Sequence, residues 1–460
     1  MPEAPGASTA AAKRPLPHLD PQYCKGCGRC IGTCPKHCIA YDERVDPRTG
    51  LVPVVLELDE CNGCGLCLAA CPEPYGLSAA IAERPATEAP GAAPDVPDEY
   101  LPLPARQPLA VKGNHAAAIG ALLAGCRQFY GYPITPSTEG AELMARLLPE
   151  LGGVFVQAVS EVATINHLYG AGGAGQRAMT FTSSPGFSLM LEGLSYLVGA
   201  ELPTVVVDVM RGGPGLGNIS PEQSDIKLVC RGLGHGHTHA VVLAPASPQE
   251  MLDLTLLAFE LAFAYRNPVV ILADGYLGQM TGKVELPSYF VAPGVPGWAV
   301  RGDREHRSNL VTSIYLAEPD LEAHMLQLLD KYCRIEERET RAERYRAEDA
   351  EVLLVACNTP ARMAKGAVEA LRGRGVKAGL FRPVTLWPFP IRSLAPLVAR
   401  VERLIVVEAS AGQLEDELRL ALSHAGVAHP PIESVRRVGG FLPSLDAIVE
   451  AVAAGTEVRS

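Results

Sequence analysis

The stretches CKGCGRCIGTCP, Cys24 to Pro35, and CNGCGLCLAACP, Cys61 to Pro72, decide how the first part of this 460-residue chain folds. Each places three cysteines at successive i, i+3 steps, adds a fourth after three intervening residues, and follows it at once with proline. A disulfide framework competes poorly, because Met1 to Gln22 has prolines and alanines but no apolar core of a secretory signal. Zinc is the other reading, since CxxC pairs also build zinc ribbons, but it leaves the third cysteine and the Cys-Pro of each run without a role.

Over about residues 20 to 80 the pattern resembles the bacterial two-cluster ferredoxins, in which the fourth cysteine of each run ligates the other cluster. That resemblance implies one [4Fe–4S] site at Cys24, Cys27, Cys30 and Cys71, and a second at Cys61, Cys64, Cys67 and Cys34. Cys38 is left over and reads as a small buried residue.

The rest of the chain is too long for such a module. At 48% apolar and 20% charged it can bury two or three further cores. No apolar run of about twenty residues lacks polar breaks, so no membrane span is expected. A net charge of −11 argues against nucleic acid as a partner. Iron–sulfur ligands together with the scattered thiols Cys126, Cys230, Cys333 and Cys357 fit a reducing cytoplasm.

Punctuation then divides the chain. Residues 1–19 read as disordered, 20–80 as the cluster module, and 81–108, with seven prolines among Ala, Glu and Asp, as an extended linker. From 109 to 290 helix-like runs (AAAIGALLAGC, PQEMLDLTLLAFELAFAY) alternate with strand-like ones (VFVQAV, LPTVVVDVM, PVVILAD), the mark of an α/β layered, largely parallel sheet. Residues 291–347 read as a connector with a solvated, charge-rich helix, and 348–460, with EVLLVAC, VKAGLFRP and RLIVVEAS, as a second α/β domain.

Four places where strands of the first α/β domain hand over to loops are candidate function sites. GYPITPST, Gly131 to Thr138, fixes the backbone on either side of Thr135 with two prolines; its plain reading is a rigid loop into a helix capped by Thr135 or Ser137. Glu161 follows Ser160 at a helix start, where it could be only a capping charge. TFTSSPGFSLM ends a strand in Ser183 and Ser184, small enough to let a ligand approach the backbone. Arg211 stands after a strand among glycines, where it could be only a solvated loop charge.

The order and spacing of these four resemble the α chain of the 2-oxoacid:ferredoxin oxidoreductases. The resemblance runs strongly over about Val111 to Glu285, and more loosely through FRPVTLWPFP and VVEASAGQL, which look like a transketolase C-terminal-type region. The cysteine module resembles the δ subunit of the same complexes. The resemblance therefore implies a two-cluster ferredoxin fused to a thiamine diphosphate pyrimidine-type domain and a transketolase C-terminal-like domain. It implies oxidative decarboxylation of a 2-oxoacid with coenzyme A to acyl-CoA, CO2 and reduced ferredoxin.

Within it, Glu161 is the carboxyl that hydrogen-bonds the aminopyrimidine, Arg211 the fork for the substrate carboxylate, and Thr135 a neighbour of substrate and thiazolium. Tyr132, Pro133, Thr135, Glu161, Ser183 and Ser184 line the cofactor. ADGYLGQM, Ala273 to Met280, approaches the Mg2+-binding GDG motif of thiamine enzymes but lacks its downstream asparagine. The diphosphate and Mg2+ half, with a further cluster, is then expected on a β subunit, coenzyme A contacts on a γ subunit, and an external ferredoxin as acceptor. MRGGPGLGNISPEQSDI and GLGHGHTHAVVLAPASPQEM stand closer to the 2-oxoisovalerate-type than to the 2-oxoglutarate-type chains, although His237 replaces an expected acidic residue. His235, His237 and His239 alternate without a nearby carboxylate or cysteine, a poor metal set. Ser410 stands where an asparagine is usual before Gly412-Gln413, so no function is carried to it. Pyruvate, 2-oxoglutarate or aryl 2-oxoacid specificity remains open. So do two other classes, a non-redox thiamine decarboxylase and a non-catalytic electron-transfer adaptor.

Overall fold

A computed structural model describes residues 16–46, 50–73, 75–79, 93–303, 305–306 and 308–454. They fall into two compact units, one made of Met1–Ala92 with Ile314–Leu321, the other of Ala93–Ser313 with Glu322–Ser460.

In the first unit the two cysteine runs fold alike. Each enters a short helix, Arg29–Thr33 or Leu66–Ala70, through a glycine in the left-handed region, Gly28 at φ 69° and Gly65 at φ 77°. A side chain is strained there, which explains the glycine after each CxxC pair. The third cysteine (Cys30, Cys67) is buried in the helix and the fourth (Cys34, Cys71) ends it in extended backbone. Pro17–Leu19 pairs antiparallel with Leu77–Ala79, and Ile39–Tyr41 with Val54–Leu56. The buried apolar cluster is only Cys30, Ile39, Val54, Cys67 and Leu77. So small a core cannot by itself hold a domain of this length. Cys38 is buried, as expected of a residue outside the ligand runs.

The second unit holds a seven-stranded sheet. Its strands, in chain order, are β1 (Gln128–Gly131), β2 (Val154–Gln157), β3 (Ala178–Thr182), β4 (Val205–Met210), β5 (Val241–Leu243), β6 (Val269–Asp274) and, later in the chain, β10 (Thr385–Trp387). The spatial order is β10-β5-β6-β4-β3-β1-β2, parallel throughout except for β10. The central strands β3, β4 and β6 are buried at every residue, as their largely apolar text requires of strands covered on both faces. A smaller mixed sheet has the order β7 (Ala342–Tyr345), β9 (Ala378–Pro383), β8 (Val352–Val355), β11 (Arg403–Glu408), β12 (Ile432–Arg436), with only β7 antiparallel.

Three segments depart from expectation. Residues 81–92 of the supposed linker lie outside the described residues, as do residues 1–15 of the terminus read as disordered. From Ala93 onward, however, the chain is packed. Glu99–Pro102 pairs antiparallel with Tyr289–Ala292, Val96 bridges Val295, Tyr100 sits 5.4 Å from Tyr289, and Asp98 pairs with Arg177. Prolines are compatible with such two-stranded edges, so their density did not exclude a strand. The connector helix, Glu318–Arg338, is not a solvated spacer. His324, Leu328, Lys331, Tyr332 and Ile335 form a buried stripe at helical spacing, with His324 Nε2 2.7 Å from the Gly199 carbonyl oxygen. Finally, β10, inside FRPVTLWPFP, crosses over to extend the large sheet rather than the small one.

Candidate active site

In the large sheet the chain runs from β1 outward to β2 and then returns to place β3 on the other side of β1. Ligands of open α/β sheets bind at such a reversal, outside the carboxyl ends of the strands. All four candidate stretches are there: Tyr132 to Thr138 after β1, Ser160-Glu161 after β2, Ser183-Ser184 after β3 and Arg211 after β4.

Arg211 is only 7% exposed. Its Nη1 donates to the Thr135 carbonyl at 2.7 Å and its Nη2 to the Leu216 carbonyl at 3.3 Å, while Nε is buried with no partner. A buried guanidinium N–H without an acceptor is expensive unless a ligand supplies one. The hydroxyls of Thr182 and Ser183 are likewise buried and unpartnered. Ser184 differs from the expected cofactor ligand. Its hydroxyl lies 2.5 Å from Asp225 Oδ2 and accepts the Arg211 N–H at 3.0 Å, so it braces the arginine.

Thr135, Tyr132 and Pro133 are exposed at the rim of the crevice. Neither Thr135 nor Ser137 caps the following helix, Thr138–Leu147; Ser137 Oγ turns back to donate to the Ile134 carbonyl at 2.8 Å. The loop is instead tied through the Pro136 carbonyl, which accepts from Asn114 Nδ2 at 2.7 Å and Gln279 Nε2 at 3.0 Å.

Glu161 is 5% exposed at the first position of helix Glu161–Gly173. The capping role belongs to Ser160, whose Oγ accepts from the Ala163 N–H at 3.2 Å, leaving the glutamate free for other work. Its carboxyl lies against Gly186: a Cβ there would come 2.5 Å from Glu161 Oε1 and 2.5 Å from Thr182 Oγ1. The glycine is what gives the carboxyl its place.

Asp274, of the near-GDG stretch, spends its oxygens internally. Oδ1 accepts from the Leu277 N–H at 3.0 Å and the Thr359 hydroxyl at 2.8 Å, and Oδ2 from the Thr359 N–H at 2.8 Å. It is a helix cap and a brace for the C-terminal domain. His235 and His237 are exposed, whereas His239 stacks on Trp387 with centroids 4.4 Å apart, and burial pushes its pKa down to about 4. The three histidines do different things.

In the first unit Cys24, Cys27, Cys30 and Cys71 line one cavity, and Cys34, Cys61, Cys64 and Cys67, joined by Cys38, line another. Cys71 thus lies beside the first three cysteines of the other run, and Cys34 beside those of the second. Backbone N–H groups point at sulfur, Val54 to Cys24 Sγ at 3.3 Å and Cys38 to Cys34 Sγ at 3.4 Å, the kind of bond that tunes a cluster.

Comparison with known proteins decides the family. The chain is 49% identical over 344 residues to the ketoisovalerate oxidoreductase subunit VorB of Methanothermobacter thermautotrophicus, covering 74% of this chain and 96% of the relative. The chain belongs to the 2-oxoacid:ferredoxin oxidoreductase family. It is 40% identical over 313 residues to the 2-oxoglutarate synthase subunit KorA of Archaeoglobus fulgidus, covering 67% of this chain and 90% of that one. The 2-oxoglutarate:ferredoxin oxidoreductase of Magnetococcus marinus, solved with 2-oxoglutarate, coenzyme A and succinyl-CoA bound, matches at a TM-score of 0.66 and 27% identity. The match covers 76% of this chain and 65% of that one. Family models match at residues 23–74 (4Fe-4S dicluster domain), 119–329 (pyruvate flavodoxin/ferredoxin oxidoreductase, thiamine diphosphate-binding) and 350–448 (pyruvate:ferredoxin oxidoreductase core domain II). This oxidoreductase thus uses thiamine diphosphate and [4Fe–4S] clusters, and its relatives are subunits of larger enzymes. Among the described residues, no helix is long and apolar enough to cross a membrane.

Sequence reading missed Asp208, Asp225 and Gly186 of this oxidoreductase. Asp208 had a signal: it is the one charge inside the apolar run VVVDVM. Gly186 and Asp225 had none, because their importance lies in what packs opposite them.

Proposed function

We propose that this chain supplies the aminopyrimidine and substrate-carboxylate half of a thiamine site, and the first clusters to receive its electrons, in an enzyme that oxidatively decarboxylates a branched-chain 2-oxoacid. The observation that carries this is Arg211, buried after β4 with Nε unpartnered, at the same carboxyl end of the sheet as the unpartnered hydroxyls of Thr182 and Ser183. The overall conversion takes a 2-oxoacid anion and coenzyme A to acyl-CoA, CO2 and one proton, with two electrons leaving singly to the clusters.

When bound, thiamine diphosphate supplies the electron sink that lets the bond to the carboxylate break. Glu161, seated by Gly186, exchanges a proton with the aminopyrimidine ring. Arg211 pairs with the 2-oxoacid carboxylate, and Thr135, whose carbonyl orients that guanidinium, borders the substrate. Cys24, Cys27, Cys30 and Cys71 hold one cluster, and Cys61, Cys64, Cys67 and Cys34 the other.

A β subunit brings the Mg2+ and diphosphate half. Two features support this: both oxygens of Asp274 already accept hydrogen bonds within the chain, and large apolar side chains are exposed around the crevice. Tyr132, Val159, Leu189, Leu216 and Tyr276 are all exposed there, Val159 at 88% and Leu216 at 82%. A ring of large apolar side chains around a polar site is a surface made to be covered. A γ subunit for coenzyme A, an external ferredoxin as acceptor and a cytoplasmic setting complete the reading. The branched-chain preference rests on the likeness to a ketoisovalerate oxidoreductase subunit.

The test is Arg211→Met in the reconstituted complex. Stranding the carboxylate should cost about 2 to 5 kcal/mol, a fall of roughly 30- to 5,000-fold in kcat/KM, with thiamine binding little changed. Near wild-type kcat/KM on 2-oxoisovalerate, pyruvate and 2-oxoglutarate alike would return Arg211 to a structural role. A loss confined to one acid would move it to the side-chain end of the pocket.

A further inference from the structure

Behind the substrate-facing side of Arg211 lies a second layer of acid groups. Asp208 sits in the middle of β4, fully buried, its carboxyl against the Asp225 side chain and the Ser184 backbone N–H. Its neighbours across the sheet, Thr182 on β3 and Leu272 on β6, carry no charge. Asp225, 6% exposed, precedes helix Ile226–Arg231 and reaches the same place. Its Oδ2 takes the Ser184 hydroxyl at 2.5 Å, and Ser184 Oγ accepts the Arg211 N–H at 3.0 Å. Ser224, beside Asp225 in the chain, donates to the Arg211 carbonyl at 2.8 Å. Both backbone polar groups of Arg211 are therefore held by serines that surround Asp225.

We infer that Asp225, backed by Asp208, is a positioning residue for Arg211: the pair carries one proton, on Asp208, and the Asp225 carboxylate fixes the Ser184 hydroxyl so that its lone pair faces the Arg211 N–H. The inference rests on Arg211 being the carboxylate ligand.

A serine hydroxyl has one proton to give. A carboxylate can only accept, so it draws that proton and leaves the oxygen as an acceptor for the arginine backbone, whereas an asparagine at position 225 can present either its oxygen or its NH2 and no longer dictates which way the hydroxyl points. Two adjacent buried carboxylates cannot both ionise cheaply, so one stays protonated. Burial, aided by the charge of Asp225, pushes Asp208 well above the usual carboxylate range, while burial raises Asp225 only to about 6. The further charged group acting on the pair is Glu222, which adds to the rise at Asp225.

The test compares Asp225→Asn, Asp208→Asn and Arg211→Met in the assembled complex. It measures kcat and KM for 2-oxoisovalerate, together with C2 proton exchange of bound thiamine. Asp225→Asn should raise KM roughly tenfold, the scale of a lost charge-assisted bond, with kcat and C2 exchange nearly unchanged. Asp208→Asn should stay within about twofold, because an amide replaces a protonated carboxyl as a donor of the same shape. Wild-type KM in Asp225→Asn, equal damage from the two Asn variants, or loss of kcat and exchange in Asp225→Asn without a KM change would each overturn the inference. If Asp225→Asn fails to assemble, Ser184→Ala takes its place, and an unchanged KM there is equally fatal. Arg211→Met separates the layers. If it lowers kcat/KM and Asp225→Asn does not raise KM, the positioning role alone falls; if it leaves kcat/KM unchanged, the clamp falls and the positioning role with it.

Discussion

The cysteine module and the switch-point site are built on opposite plans. In the module, all eight proposed ligands lie within two short runs, and the geometry is made locally by a left-handed glycine and a five-residue helix in each. In the large sheet Thr135, Glu161, Ser183 and Arg211 come from the ends of four strands, and nothing local brings them together. Cysteine is rare and its offsets are few, so its spacing alone restricts the chemistry. Glutamate, arginine and serine are common, and each of the four had an ordinary explanation until the strand order placed them in one crevice.

The largest effect should come from the module. With three aliphatic side chains and two thiols in its buried cluster, removal of iron and sulfide should unfold residues 16–79 outright. Hydrogen exchange would show full loss of protection there and none in the α/β unit; a module still protected without iron would mean the core suffices after all. Next is Glu161→Gln, expected to slow C2 proton exchange of bound thiamine by about 100-fold or more while about eight irons per chain remain. Unchanged exchange would leave Glu161 as a first-turn charge, and lost iron would break the independence of the two regions. Smallest is Gly186→Ala. The added methyl must displace the Glu161 carboxyl from a 2.5 Å contact, so exchange should slow roughly tenfold with iron content untouched. A wild-type rate would show that the carboxyl's seat is not set by this glycine.

Legibility followed the same division. The parallel strands announced themselves as largely apolar runs, and the helix Pro248–Tyr265 by its length. The strand Glu99–Pro102 was hidden because proline-rich text serves a linker and a two-stranded edge equally well. β10 was hidden because a strand lent to another sheet carries no mark of its destination. The charge-rich helix Glu318–Arg338 concealed a narrow buried stripe. In the site, Arg211 and Glu161 were visible by position, but that Ser184 serves the protein rather than a ligand depends on Asp225, 41 residues away. Pairings at that range leave no local pattern to read.

The exposure of Tyr132, Val159, Leu189, Leu216 and Tyr276, in the segments that follow strands of the large sheet, bears on how such a protein must be made. Chains that leave the ribosome without partners would carry greasy collars in water, and collars of that kind stick to one another. Over-production of the chain by itself is therefore expected to show first as aggregation, read by light scattering, and only later as lost turnover.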